Sequence, residues 1–129
     1  MFTLQQIQEA HSKVKSGADF PAYVSDLKQL GLAGYVAFVS DGHTTYFGNN
    51  DFQITSSAKY ESLEISSNLD KAQFVSELKA HQQGKTDFLT FCKDCAKSGI
   101  NKWILDFNKM TCTYFGKDEN EVLTEQIPQ

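Results

Sequence analysis

The tetrapeptide Thr45-Tyr46-Phe47-Gly48 recurs letter for letter as Thr113-Tyr114-Phe115-Gly116, 68 residues further on. On that offset residues 3–54 lie over residues 71–122 without a gap. Gln5/Gln73, Glu9/Glu77, Asp19/Asp87, Phe20/Phe88, Asp26/Asp94 and Gly31/Gly99 coincide as well. Ten identities in 52 positions stand against the roughly three that average composition would give. Many differences are conservative, among them Ile7/Val75, Tyr23/Phe91, Tyr35/Trp103, Val36/Ile104 and Ile54/Val122. The chain is an internal duplication, so whatever one copy folds into, the other is expected to fold into too.

A unit of about 55 residues is marginal on its own. The two copies are therefore expected to share one core, with residues 1–129 forming a single domain. Ten Phe, five Tyr and one Trp within a 40% hydrophobic composition supply that core. The formal charge of −4 and pI near 5.3 argue against nucleic acid and anionic membranes, which need a basic face. No run of about 18 apolar residues is present, so no membrane insertion is expected. Residues 1–6 show neither the basic nor the apolar part of a secretory signal. Three cysteines, an odd number, suit a reducing, cytoplasmic setting.

The pattern predicts an α+β fold in which each copy is a helix–helix–β-meander unit, with helices packed on antiparallel sheet. Thr3 and Gln6 form a capping box for a helix over 3–16, which Ser16-Gly17 stops. Asp19 is expected to cap a second helix carrying Phe20, Tyr23, Val24, Leu27 and Leu30, with Gly31 as its left-handed end. Tyr35–Val39 and Thr44–Phe47 read as a hairpin about Asp41-Gly42, followed by a short strand at 52–55. Residues 56–68 have no counterpart, and Tyr60, Leu63 and Ile65 suggest a short edge strand. Asn68 or Asp70 then caps a third helix and Asp87 a fourth. Strands around Trp103–Phe107, Thr111–Phe115 and Glu121–Ile127 complete the second meander, and Pro128 closes the chain.

Cys92-Lys93-Asp94-Cys95 has the spacing of zinc ligands and of redox dithiols. The duplication points to packing instead, because Cys92 lies over Val24 and Cys95 over Leu27, both core-facing helix positions. No metal and no cofactor is therefore expected. Asp106 lies over Phe38, which leaves a carboxylate either solvated or at the rim of a pocket with Trp103 nearby. His81 with Asp87 or Cys92 could supply acid–base or nucleophilic chemistry. No phosphate loop, Gly-x-Ser-x-Gly turn or paired-histidine motif appears.

The stretches from His81 to Cys92, Gly99 to Phe107, Met110 to Tyr114 and Glu125 to Pro128 resemble the YbcV/YdfO-like family of small bacterial proteins. That family is of unknown function and often carries the label phage envelope protein. The resemblance implies bacterial or prophage origin and a soluble domain, and it supplies no activity. It places any pocket in the second copy, around His81, Asp87, Cys92, Trp103, Asp106 and Tyr114.

Two functional readings stay open on the sequence. One is a non-enzymatic binding or interaction module. The other is a small enzyme using the second-copy Cys/His/Asp cluster, with Cys92 or His81 as the reactive group. Strand alternation adds one expectation: Tyr46 opposes Phe47 and Tyr114 opposes Phe115, so one ring of each pair faces away from the helices, and two such rings, joined by Trp103 or Tyr35, form an apolar patch on the open sheet face. That patch would serve a homodimer or a protein partner.

Overall fold

The computed structural model describes residues 2–15 and 19–127. The first copy comprises α1 (Leu4–His11), α2 (Phe20–Leu30), β1 (Leu32–Phe38), β2 (Thr44–Gly48) and β3 (Gln53–Thr55). The second comprises α3 (Lys71–Gln82), α4 (Phe88–Ser98), β4 (Ile100–Asp106), β5 (Thr111–Gly116) and β6 (Glu121–Gln126). All six strands join in one antiparallel sheet of order β3-β2-β1-β4-β5-β6. The class is α+β, as the pattern requires.

The two copies meet along β1 and β4, and the register there is self-complementary. Val36 faces Ile104, its own counterpart in the repeat. Around that pair, Tyr35 facing Leu105 mirrors Ala37 facing Trp103, and Gly34 facing Asp106 mirrors Phe38 facing Lys102. A pseudo-two-fold axis therefore passes through the sheet between Val36 and Ile104. An axis normal to a sheet leaves its two faces distinct, so both helix pairs come to lie on the same side. Even the irregularities repeat: a bulge at Ala33 in β1 matches one at Asn101 in β4.

Strand alternation does the rest. Tyr35, Ala37, Tyr46, Trp103, Leu105 and Tyr114 point to the helices and are buried with Tyr23, Val24 and Leu27 of α2 and Phe74, Phe91 and Cys95 of α3 and α4. Each large side chain so buried contributes about 1.5–3 kcal/mol. Val36, Thr45, Phe47, Ile104, Thr113 and Phe115 take the other face, which none of the described helices covers; Val36 at its centre is hemmed in by its strand neighbours and only 9% exposed.

Several expectations need correction. The first helix ends at His11, not at 16, because the Ser12 hydroxyl donates to the Glu9 carbonyl at 2.6 Å and competes with a further turn. Its expected stop at Ser16-Gly17 and the closing Pro128 lie outside the described residues. Asp19 does not cap α2: its side chain accepts from the Lys15 backbone N–H at 2.8 Å instead. Asp70 and Asp87 do cap α3 and α4. Residues 56–68 form no edge strand. They cross as irregular chain, held where the Leu63 N–H donates to the Ser40 carbonyl and the Tyr60 hydroxyl to that of Val39, both at 2.6 Å.

The repeat alignment also slips at its last strand. Ile54 pairs with Tyr46, but the residue pairing with Tyr114 is Leu123, and Val122 occupies a bulge. Val122 is thereby turned inward and buried. Finally, the open face takes one ring of each Tyr-Phe pair, but neither Trp103 nor Tyr35 joins them, because both lie in the core. Tyr46 and Tyr114 are core residues, 6% and 7% exposed, and the rings that face away from the helices are Phe47 and Phe115.

Gly31 and Gly99 both end their helices at positive φ, 102° and 88°, where a side chain is strained. A Cβ on Gly31 would meet open space, whereas one on Gly99 would press within 3.0 Å of the Asn68 carbonyl and Leu69. Gly31→Ala should cost about 1 kcal/mol and Gly99→Ala distinctly more. Urea unfolding of both variants measures the difference, and equal losses would contradict the packing at Gly99.

Candidate functional site

Trp103, Tyr114 and His81 gather about two phenylalanines on the helix side of the sheet. The His81 ring stacks on Phe91 at 4.4 Å, Trp103 lies 5.6 Å from Phe91 and 6.0 Å from Tyr114, and Phe74 meets Tyr114 edge-on at 5.0 Å. His81 Nδ1 is 3.1 Å from both the carbonyl and the hydroxyl of Thr86, which ties down the chain between α3 and α4. Burial lowers its pKa, and the Thr86 carbonyl works against that shift. Asp87 accepts from the Thr90 N–H at 2.8 Å as a cap, and hydrogen bonding from the Thr90 side chain, then from that N–H, depresses its pKa. These are the jobs of packing and capping residues. Asp106 is not among them, because alternation along β4 sets it on the opposite face from Trp103.

Cys92 and Cys95 are 1% and 0% exposed, in the core positions that their repeat partners Val24 and Leu27 also hold. Burial raises both thiol pKa values and pushes that of Cys112 up to about 12. The Tyr60 hydroxyl and Lys59, lying by Cys92, oppose the shift there but do not overcome it. Among the described residues, no three His, Cys, Asp or Glu side chains come together to hold a metal ion. One carboxylate escaped the sequence reading. Glu77 accepts from the buried Ser98 hydroxyl at 3.1 Å, and burial together with the neighbouring Asp94 carboxyl raises its pKa.

The open face is organised in rows across the strands. The row on the pseudo-axis reads Thr55, Thr45, Val36, Ile104, Thr113, Thr124, and the outer threonines pair hydroxyl to hydroxyl at 3.0 Å on both sides. On one side of it lies Phe115–Lys102–Phe38, on the other Phe47–Gly34–Asp106. The pseudo-axis exchanges these two rows: Phe115 corresponds to Phe47, Lys102 to Gly34 and Phe38 to Asp106. Lys102 Nζ lies 5.5 Å from the centre of the Phe115 ring and 3.0 Å from the Glu119 carboxylate. Gly34 brings no side chain, and a shallow hollow of about 240 Å³ opens there between Phe47, Ile104, Asp106 and Asn108. Glycine is required at that point, because any Cβ would collide with the Leu105 carbonyl.

Asp106 has a structural job at the hollow's rim. One oxygen accepts from the Asn108 and Lys109 N–H groups at 2.9 and 3.1 Å, shaping the turn into β5. Its other oxygen has no hydrogen bond among the described residues. Phe47 and Gly34 were not singled out from the sequence. The signal was present in the alignment of Gly34 over Lys102 beside an invariant Phe47/Phe115, but it needed the face of each strand to be known.

No helix among the described residues is long and apolar enough to cross a membrane. Residues 8–126 match the model of a family described as proteins of unknown function, DUF1398, and the chain belongs to that family. It is 21% identical over 120 residues to the uncharacterized protein YcgX of Escherichia coli, spanning 93% of this chain and 90% of the relative. It is also 36% identical over 47 residues to the uncharacterized proteins Mb2035 of Mycobacterium bovis and Rv2012 of Mycobacterium tuberculosis. That match covers 36% of this chain and 29% of each relative.

The thiols give a pH test. A group whose pKa is raised by folding stabilises the protein below its unfolded value, here about 9.0, and loses that contribution as pH rises toward the folded value. Stability should therefore fall progressively above pH 9, and native Cys92 and Cys95 should react with a thiol reagent at pH 8 only as fast as the protein opens. Immediate labelling of either residue in folded protein would contradict their burial.

Proposed function

We propose that this chain is a non-enzymatic binding module that takes a protein partner on the open face of its sheet. The observation that carries the proposal is the row of Thr, Val and Ile side chains across all six strands, with Phe47 and Phe115 beside it, on the sheet face that none of the described helices covers. A flat apolar surface rimmed by hydroxyls buries area without large desolvation cost. The reactive groups required by an enzyme are meanwhile occupied. Cys92 and Cys95 are buried and protonated, His81 is stacked and hydrogen-bonded, and Asp87 caps a helix.

In this reading residues 1–129 act as one domain, since half of the sheet comes from each copy. The bacterial relatives and the stretches from His81 onward support a bacterial or prophage origin, with the cytoplasm as the setting. A charge of −4 disfavours stacking two copies face to face and favours a basic partner over a homodimer.

Site-specific photocrosslinking in bacterial cells tests the proposal. A benzophenone residue at Thr45 or Thr113 on the open face should give a discrete adduct that Ile104→Asp abolishes. The same group at Lys93, exposed on α4, should give none. Equal adducts from both faces, or a homodimer adduct alone, would overturn the reading.

A further inference from the structure

The two halves of the open face differ in one respect that the duplication makes legible. In the second copy an aromatic ring, a carboxylate and an ammonium group form a complete set: Phe115, Glu119 and Lys102. The first copy keeps the ring and the carboxylate. Phe47 stands for Phe115, and Asp51, at the tip of the β2–β3 turn, stands for Glu119. Both acids are even held in the same left-handed backbone conformation, at φ 61° and 67°. The ammonium is missing, because Gly34 stands for Lys102. In its place is the hollow, whose rim carries a carboxylate of its own, Asp106, with one oxygen free of hydrogen bonds among the described residues.

We infer that the Gly34 hollow is a receptor for a cationic side chain, a lysine ammonium or an arginine guanidinium, presented by the basic partner. The inference rests on the open-face reading above and names the chemistry of its central contact. Charge complementarity selects the cation, and the second copy provides an internal standard for it. The fold already shows which group satisfies this ring and acid, because it supplies that group itself in the other half. A cation over an aromatic face is attracted to the ring's negative quadrupole, and Asp106 at the rim adds Coulombic attraction. Lys102 cannot serve a second copy of the chain, since it is already engaged with Phe115 and Glu119. The Leu105 carbonyl, which excludes any side chain at position 34, keeps the hollow open.

The test is an amide-resolved NMR titration with three short blocked peptides, Gly-Lys-Gly, Gly-Arg-Gly and Gly-norleucine-Gly. The lysine and arginine peptides should saturate shifts at Gly34, Phe47, Asp106 and Asn108 and leave Phe115 and Glu119 still; norleucine should do neither. Asp106→Asn should weaken binding about three- to fivefold, the scale of an exposed ion pair. Lys102→Ala empties the second half, and the same peptides should then shift Phe115 and Glu119 as well. Equal response to norleucine, shifts scattered over all acidic residues, or no second site in Lys102→Ala would overturn the inference. So would concentration-dependent shifts at the hollow without peptide, which would make a second copy the occupant. Should the photocrosslinks persist while the peptides fail, the cation site falls and the binding face stands.

Discussion

Antiparallel pairing of β1 with β4, centred on Val36 opposite Ile104, is the contact from which the rest of the architecture follows. Each copy alone offers a three-stranded meander with two helices on one side and an unpaired edge at β1 or β4. Exposed edges of that kind invite pairing with another chain. Here each copy's edge is satisfied by the other's. Since the pairing is self-complementary, one patch evolved once can serve on both sides, much as in a two-fold dimer. The buried tyrosines, tryptophan and phenylalanines of both halves then pool in one core, which two units of this size could not build separately.

The same symmetry explains where the copies are free to differ. Most positions facing the helices remain apolar in both, with Tyr35 matched by Trp103 and Val24 by Cys92, because the shared core penalises any unpaired polar group; the buried exceptions, Thr44 and Ser98, have hydrogen-bonded hydroxyls. Open-face positions carry no such restriction. There Gly34 has diverged from Lys102 and Asp106 from Phe38, and the divergence converts one self-satisfied ring–ammonium–carboxylate set into an open one.

Much of this was legible in the sequence, and the gaps have physical causes. The duplication, the element order, the glycine helix ends and the packing role of Cys92 and Cys95 follow from periodicity and alignment. Which ring of each Tyr-Phe pair faces the helices did not. Alternation fixes only that the two oppose each other, and the choice depends on the pairing of β1 with β4, a long-range event. Asp106 was singled out for its odd position beside Phe38, and it does sit at a rim, but with Phe47 rather than Trp103, for the same reason. Local competition accounts for the shorter α1 and for Asp19, whose carboxylate is taken by the Lys15 N–H. The Val122 bulge was invisible because an insertion inside a strand leaves no turn residues to mark it.

Backbone nuclear Overhauser contacts across the seam test the central claim most directly. Contacts should link Val36 with Ile104, Tyr35 with Leu105 and Ala37 with Trp103, continuous with those from Val36 to Thr45 and from Ile104 to Thr113. Two meanders each showing its own contacts but none between β1 and β4 would contradict the shared sheet. So would a seam displaced by one residue, since that would send Tyr35 and Trp103 to opposite faces and dissolve the two-fold relation.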